Sequence, residues 1–218
     1  MTQITNIYFD LDGPILDVSD RYYRVHKDIC ERLSIKNALT KEEYWSKKRD
    51  RTPIHILLDC LKSDNLVFSY NENWISEIEK DSMLKHDKIF PYAKDILEYL
   101  SNKYALFLVT FRRRKESVLD EICKFGIKKY FKDIFVVSSE NKEEEHFISK
   151  YNAIKNSSSF CSKSLFIGDT EIDIKAAKLL GIKSVGVLSG IRNRGYMKEL
   201  DPDYIFTDLE DLVTGLNL

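Results

Sequence analysis

Residues 4–13 read Ile4-Thr5-Asn6-Ile7-Tyr8-Phe9-Asp10-Leu11-Asp12-Gly13. A short apolar, β-branched run ends in two carboxylates spaced i, i+2, and a glycine follows. The run suits a buried parallel strand, which is hydrophobic on both faces. On a strand, i and i+2 point to the same side. Asp10 and Asp12 therefore converge at the strand's carboxyl end, where open α/β sheets place their ligands. Two acids held that close repel each other unless a cation or a shared proton separates them. Gly13 lets the backbone turn sharply and approach a ligand.

Beyond Gly13 the period changes. Val18, Tyr22, Val25, Ile29 and Leu33 recur at helical spacing, and Ser19 or Asp20 is a candidate cap near the start. Thr40-Lys41-Glu42-Glu43 has the form of a capping box, and Pro53 suits the first turn of a helix. Helices are expected near 41–50, 53–62 and 71–82, with no convincing strand between 16 and 86. After Pro91 strands and helices alternate. Strands are expected at 104–109, 134–137, 164–167, 184–187 and 204–206. Helices are expected at 93–101, 116–125, 142–154, 172–180 and 209–212, with Gly126 and Gly181 as stops. That alternation predicts an α/β fold, a Rossmann-like parallel sheet with helices on both faces. It divides the chain into a core at 1–15 and 87–218 and an inserted α-helical unit at 16–86.

The bulk numbers set limits on function. The chain of 218 residues is 43% hydrophobic and 32% charged, ordinary for a soluble protein. Its net charge of -1 provides no global field for nucleic acid or an anionic membrane, so neither is expected as a partner. Cys30, Cys60, Cys123 and Cys161 form no CxxC pair, which suits reduced, mostly buried thiols and a cytoplasmic location. The N-terminus lacks the basic start and apolar core of a signal peptide, and the apolar run Ala105 to Val109 is far too short to span a bilayer. His26, His55, His86 and His146 have no metal-ligand spacing. A monomer or weak homodimer is expected.

At the strand ends the polar residues form a pattern. Asp10 and Asp12 end the first strand, Thr110 the second, and Asp169 the fourth. Asp173 follows Asp169 by one helical turn, and Lys142 opens the helix after the third strand. In a parallel sheet these positions share one edge. Hard oxygen ligands hold Mg²⁺. A carboxylate can attack phosphorus, and a second carboxylic acid can protonate the leaving oxygen. A hydroxyl and a lysine can bind the transferring oxygens.

Asp10-Leu11-Asp12-Gly13, Thr110 after an apolar strand, Lys142, and Gly168-Asp169-Thr170-Glu171-Ile172-Asp173 resemble, in order, the four motifs of the haloacid dehalogenase-like hydrolase superfamily. The insertion after the first motif resembles the helical cap of its phosphoglycolate phosphatase and β-phosphoglucomutase branch. The resemblance implies a Mg²⁺-dependent phosphatase acting on a small phosphorylated metabolite through an aspartyl-phosphate. It implies Asp10 as nucleophile and metal ligand, and Asp12 as general acid and base with its carbonyl on the metal. Thr110 and Lys142 would hold phosphoryl oxygens, Asp169 would complete the metal site, and Asp173 would orient it. Lys150 and Lys155 are rivals to Lys142, which is preferred for its place at the loop-to-helix junction; the other two are expected to be solvated. The chain departs from the family pattern at Pro14, at Phe111 where the branch often has asparagine, and after Lys142 where proline is common.

Other cations are candidate substrate contacts. Arg112-Arg113-Arg114-Lys115 opens a helix, where cations oppose the dipole. Phe111 and Arg112 are candidates there, as are Lys48 and Arg51 from Lys47-Lys48-Arg49-Asp50-Arg51 in the insertion. Solvated basic surfaces are the plain alternative for both runs. The aromatics Tyr22, Tyr23, Tyr44, Trp45, Tyr70 and Trp74 read as the insertion's own core. A phosphomutase and a non-enzymatic phospho-acceptor or binding module are the alternative functions.

Overall fold

The computed structural model describes residues 4–36, 39–59, 64–137 and 146–218. Six parallel strands form its main sheet: β1 (Asn6–Phe9), β4 (Ala105–Thr110), β5 (Phe131–Val136), β6 (Ser164–Gly168), β7 (Lys183–Val187) and β8 (Tyr204–Phe206). Their spatial order is β5-β4-β1-β6-β7-β8, which puts β1 at the centre between β4 and β6.

The alternation of side chains along the central strands divides the core. Ile7, Phe9, Leu106, Leu108, Leu165 and Ile167 face one side, and Tyr8, Phe107 and Phe166 face the other. Helices α6 (Ala93–Ser101), α7 (Lys115–Lys124) and α11 (Leu209–Leu216) cover the first side with Leu97, Ile122 and Leu212 among others. Helices α8 (His146–Lys155) and α9 (Glu171–Leu180) cover the second with Ile154, Ala177 and Leu180. Each large apolar side chain so buried contributes about 1.5–3 kcal/mol relative to exposure. This is the doubly covered sheet that the strand–helix alternation predicts. Gly181 closes α9 in the left-handed conformation, with φ 68°.

Between β1 and β4 the chain leaves the sheet. It passes through β2 (Leu16–Asp17), then α1 (Ser19–Arg32), α2 (Lys41–Arg49), α3 (Ile54–Leu57), α4 (Asp64–Glu77) and α5 (Asp81–Leu84), and returns through β3 (Lys88–Ile89). β2 and β3 pair antiparallel, Leu16 with Ile89 and Asp17 with Lys88, so a small ribbon forms the base of the helical insertion. The insertion has its own core of Val25, Ile29, Cys30, Leu58 and Tyr70. Tyr70 and Trp74 belong to this core, whereas Tyr22 and Trp45, expected there too, pack against the core of the main sheet. Tyr22 lies edge-on to both Trp45 and Trp74, and His26 is stacked on Tyr44. The capping box of α2 is present: the Glu43 N–H donates to Thr40 Oγ1 at 3.2 Å, and the Thr40 N–H donates to Glu43 Oε2 at 2.8 Å.

Local differences from expectation have local causes. Residues 16 and 17 are a strand, because Ile89 and Lys88, far along the chain, supply the pairing that so short a run cannot signal. Neither Ser19 nor Asp20 caps α1. The Ser19 N–H instead donates to Asp17 Oδ1 at 2.9 Å, and Asp20 pairs with Lys41 and Lys88. The helix expected at 53–62 is described only as Ile54–Leu57. The helix expected at 71–82 divides into α4 and α5, and α10 (Arg194–Glu199) was not foreseen. Of the described cysteines Cys30 is buried, Cys161 partly buried and Cys123 exposed, so the thiols are less buried than expected. Among the described residues no helix is long and apolar enough to cross a membrane.

Candidate active site

The register of the three central strands builds the site. Phe9 is aligned with Leu108 and with Ile167. Asp10 lies one residue past this row, and Thr110 and Asp169 lie two past it, so all three reach the same edge of the sheet. All three are buried. One carboxylate oxygen from each of Asp10, Asp169 and Asp173 lies within 4.8 Å of the others.

The cation among these acids is Lys150. Its ammonium lies 2.7 Å from Asp173 Oδ1 and 3.1 Å from Asp10 Oδ1, and the residue is only 1% exposed. This corrects the expectation that Lys150 is solvated. The signal was present in the sequence: Lys150 lies on the apolar stripe of α8, three residues after Phe147 and four before Ile154, both of which pack against the sheet. A charge on that stripe is carried inward. Lys142, the residue preferred from the sequence, lies outside the described residues. Lys155 lies over the Phe160 ring.

Burial pushes the Asp10 carboxyl up to about 7, against the opposing pull of Lys150. Burial also works against the Lys150 charge, but Asp10 and Asp173 outweigh it and hold the ammonium protonated. The Leu11 N–H donates to Asp10 Oδ1 at 2.8 Å and fixes the carboxylate. Asp173 accepts from the Thr170 N–H and hydroxyl through Oδ2 while Oδ1 faces Lys150. Its hydrogen bonds thus run to Lys150 and Thr170, and none runs to Asp169.

Asp169 is held differently. Its Oδ2 accepts from the Ile191 N–H at 2.5 Å, and its buried Oδ1 has no hydrogen-bond partner. Burial first, then Asp10 and Asp173, push its carboxyl well above the usual range. An orphaned carboxylate oxygen beside two further acids fits a hard divalent cation. Two glycines leave room for this group. A Cβ at Gly190 would fall 1.9 Å from Asp169 Oδ2, and one at Gly13, where φ is 98°, would fall 2.3 Å from its Cγ. Gly190→Ala is therefore expected to turn Asp169 out of place. The metal concentration needed for half activity should rise by about 10–100-fold, measured by magnesium titration of the rate. An unchanged titration would refute this role for Gly190.

Asp12 points into a separate ionic cluster. Arg112, at the end of β4, grips it with two donors: Nε donates to Asp12 Oδ2 at 3.3 Å, and the second nitrogen donates to Oδ1. Arg21, from α1, lies 2.5 Å from Asp12 Oδ2. Arg112 also pairs with Asp87 at 3.0 Å and with Glu121 of α7 at 2.7 Å, and Arg21 Nε lies 3.1 Å from Asp87. Burial would raise the Asp12 carboxyl, but Arg112 and then Arg21 hold it below the usual carboxylate range. Burial pushes Asp87 up to about 8.

The remaining candidates are placed as follows. Phe111 packs on the His146 ring, with centroids 4.1 Å apart. Arg113 and Arg114 pair with Glu79 and Asp81 of the insertion and stay exposed, so these two arginines are a solvated basic surface that also touches the helical unit. The Lys48 ammonium lies 4.9 Å from the centroid of the Trp74 ring. Arg51 bonds to the Tyr196 hydroxyl and lies 3.6 Å from Glu171. Its neighbour Arg49 donates to the Leu188 carbonyl at 2.7 Å, and Asn193 bonds to Asp50. The end of α2 is thereby fastened to the loop before α10.

The family model described as haloacid dehalogenase-like hydrolase matches residues 7–187. The chain belongs to that family. It is 22% identical to the pyrophosphatase PpaX of Oceanobacillus iheyensis over 97% of this chain and 96% of that protein. It is 25% identical to a phosphoglycolate phosphatase of Haemophilus influenzae over 99% of each chain. Among solved structures, a haloacid dehalogenase-like family hydrolase from Streptococcus pneumoniae superposes with a TM-score of 0.74 at 21% identity, covering 99% of this chain and 100% of that one. This family member thus has the α/β Rossmann-like core of such hydrolases, with the acids of residues 10, 12, 169 and 173 at one edge of its sheet.

Proposed function

We propose that this hydrolase is a magnesium-dependent phosphatase that acts on a small phosphorylated metabolite through a phosphoaspartate at Asp10. The observation that carries the reading is the setting of the Asp10 carboxylate. It is held by the Leu11 N–H and Lys150, with Asp169 beside it and Asp12 two residues on. An oxygen of Asp10 attacks phosphorus as the bond from phosphorus to the leaving oxygen breaks. The departing oxygen keeps the electron pair and takes a proton from Asp12, which must first gain that proton against the pull of Arg112 and Arg21. Water then bonds to phosphorus, the bond to Asp10 breaks with its electron pair returning to the carboxylate, and Asp12 takes the water's proton. Thr110 and Lys150 bind the phosphoryl oxygens, so the lysine role expected of Lys142 is assigned to Lys150. Asp10, Asp169 and the Asp12 carbonyl would hold Mg²⁺, which neutralises charge on the phosphoryl oxygens when bound.

Residues 16–86 act in this reading as a cap over the core formed by 1–15 and 87–218. The β2–β3 ribbon supports this as its base, and the contacts of Arg49, Asp50 and Arg51 with the core support a closed position. The names of the relatives point to a compact anionic substrate such as phosphoglycolate or pyrophosphate. Phe111, Lys48 and Arg51 are the candidates in this reading for contacts with the leaving group. The test is phosphate release from p-nitrophenyl phosphate, phosphoglycolate and pyrophosphate, with magnesium and with excess chelator. Repeated turnover with magnesium, and a loss of about 100-fold or more on chelation, are expected. Undiminished hydrolysis in chelator would sink the metal assignment. Release of no more than one phosphate per chain would leave a phospho-acceptor.

A further inference from the structure

We infer that Arg112 is a positioning residue for Asp12, and that its grip matters most in the second half of the reaction, when Asp12 must face the attacking water. The inference rests on the phosphatase reading. Its basis is the way the guanidinium is fixed. Arg112 is 3% exposed, and each of its three nitrogens is committed. One nitrogen is tied to Glu121 of α7 at 2.7 Å. A second serves both Asp87, at 3.0 Å, and Asp12 Oδ1. Nε reaches Asp12 Oδ2 at 3.3 Å. A guanidinium is planar and rigid, so anchoring its far end to a core helix sets the plane of the carboxylate held by its near edge. Arg21 adds a single contact to the same carboxylate from the helical insertion. The core therefore supplies the two-point grip and the insertion the one-point grip.

In the second step the water oxygen bonds to phosphorus, the bond from phosphorus to Asp10 breaks, and the water's proton passes to a carboxylate oxygen of Asp12. Proton transfer of this kind depends on placement, and a misplacement of one ångström can cost about 100-fold. The first step with an aryl phosphate makes little demand on Asp12, because nitrophenolate leaves without a proton. Loosening Asp12 should then slow the second step alone.

The test uses the full chain with p-nitrophenyl phosphate and magnesium in rapid-mixing kinetics. Phospho-enzyme is trapped in acid. Arg112→Lys keeps the charge but removes the fork, and Glu121→Gln removes the charge that anchors the far end, leaving only a neutral acceptor, with Arg112 in place. In both, a burst approaching one nitrophenolate per chain is expected, with phospho-enzyme accumulating. The later rate should fall by about 100-fold for Arg112→Lys and about tenfold for Glu121→Gln. Burst and later rate falling in parallel, or neither changing, would overturn the inference. If circular dichroism shows that Arg112→Lys does not fold, Glu121→Gln decides by the same criteria. Wild-type enzyme that shows neither turnover nor phospho-enzyme would defeat the phosphatase reading itself, and the inference with it.

Discussion

Asp10→Asn is expected to lower the rate of phosphate release by at least about 10⁴-fold while leaving the fold intact. The amide matches the carboxylate in shape and can still accept from the Leu11 N–H, which donates to Oδ1 at 2.8 Å. It has no charged oxygen to attack phosphorus. Two effects on stability oppose each other. The substitution removes a carboxyl that burial pushes up to about 7, and it takes one of two carboxylate partners from Lys150. Their difference should stay within about 1–2 kcal/mol by urea unfolding, the range of most single substitutions. Mass spectrometry after brief exposure to an activated phosphoryl donor should find the phosphoryl group on wild type and none on the variant. A variant that keeps more than about one-hundredth of the wild-type rate would remove Asp10 from the nucleophile role.

Lys150→Met is the second large effect, and it differs in kind because it strikes stability and activity together. The methionine fills much of the lysine's volume but brings no charge. Asp10, Asp169 and Asp173 are then left buried with no ammonium among them. Removing one partner of a buried ion pair costs about 3–5 kcal/mol. Losing a donor to the transferring oxygens costs about 10²–10³-fold in rate. Both should appear, as a lower urea midpoint and a lower turnover number. Lys142→Met is the control, with a change of less than about threefold in rate expected if Lys150 holds the lysine role. The reverse outcome, with Lys142→Met inactive and Lys150→Met near wild type, would return the lysine role to Lys142.

The Asp10 and Asp12 motif was legible because its signal is local. Ile4 to Phe9 can only be a buried strand if its apolar residues are to leave water, and the acids at its end share a side by the period of the strand. Thr110 and Gly168-Asp169 were legible for the same reason. Lys150 was missed because its burial depends on which face of α8 meets the sheet, and the sequence reading gave more weight to its charge than to the apolar stripe on which it lies. Arg112 was taken for a substrate contact or a solvated residue. Its partners Asp12, Asp87 and Glu121 are 100, 25 and 9 positions away, and no local pattern joins them.

The sequence by itself determined the parallel sheet, the helical insertion and the acids at the strand ends, because hydrophobic period and turn chemistry act within a few residues of chain. Only the tertiary structure decided which cation neutralises Asp10, where Asp12 points and which carboxylate oxygen is left without a donor. Those choices belong to charges that meet after the strands align and water is excluded, when burial makes each pairing strong enough to select one arrangement.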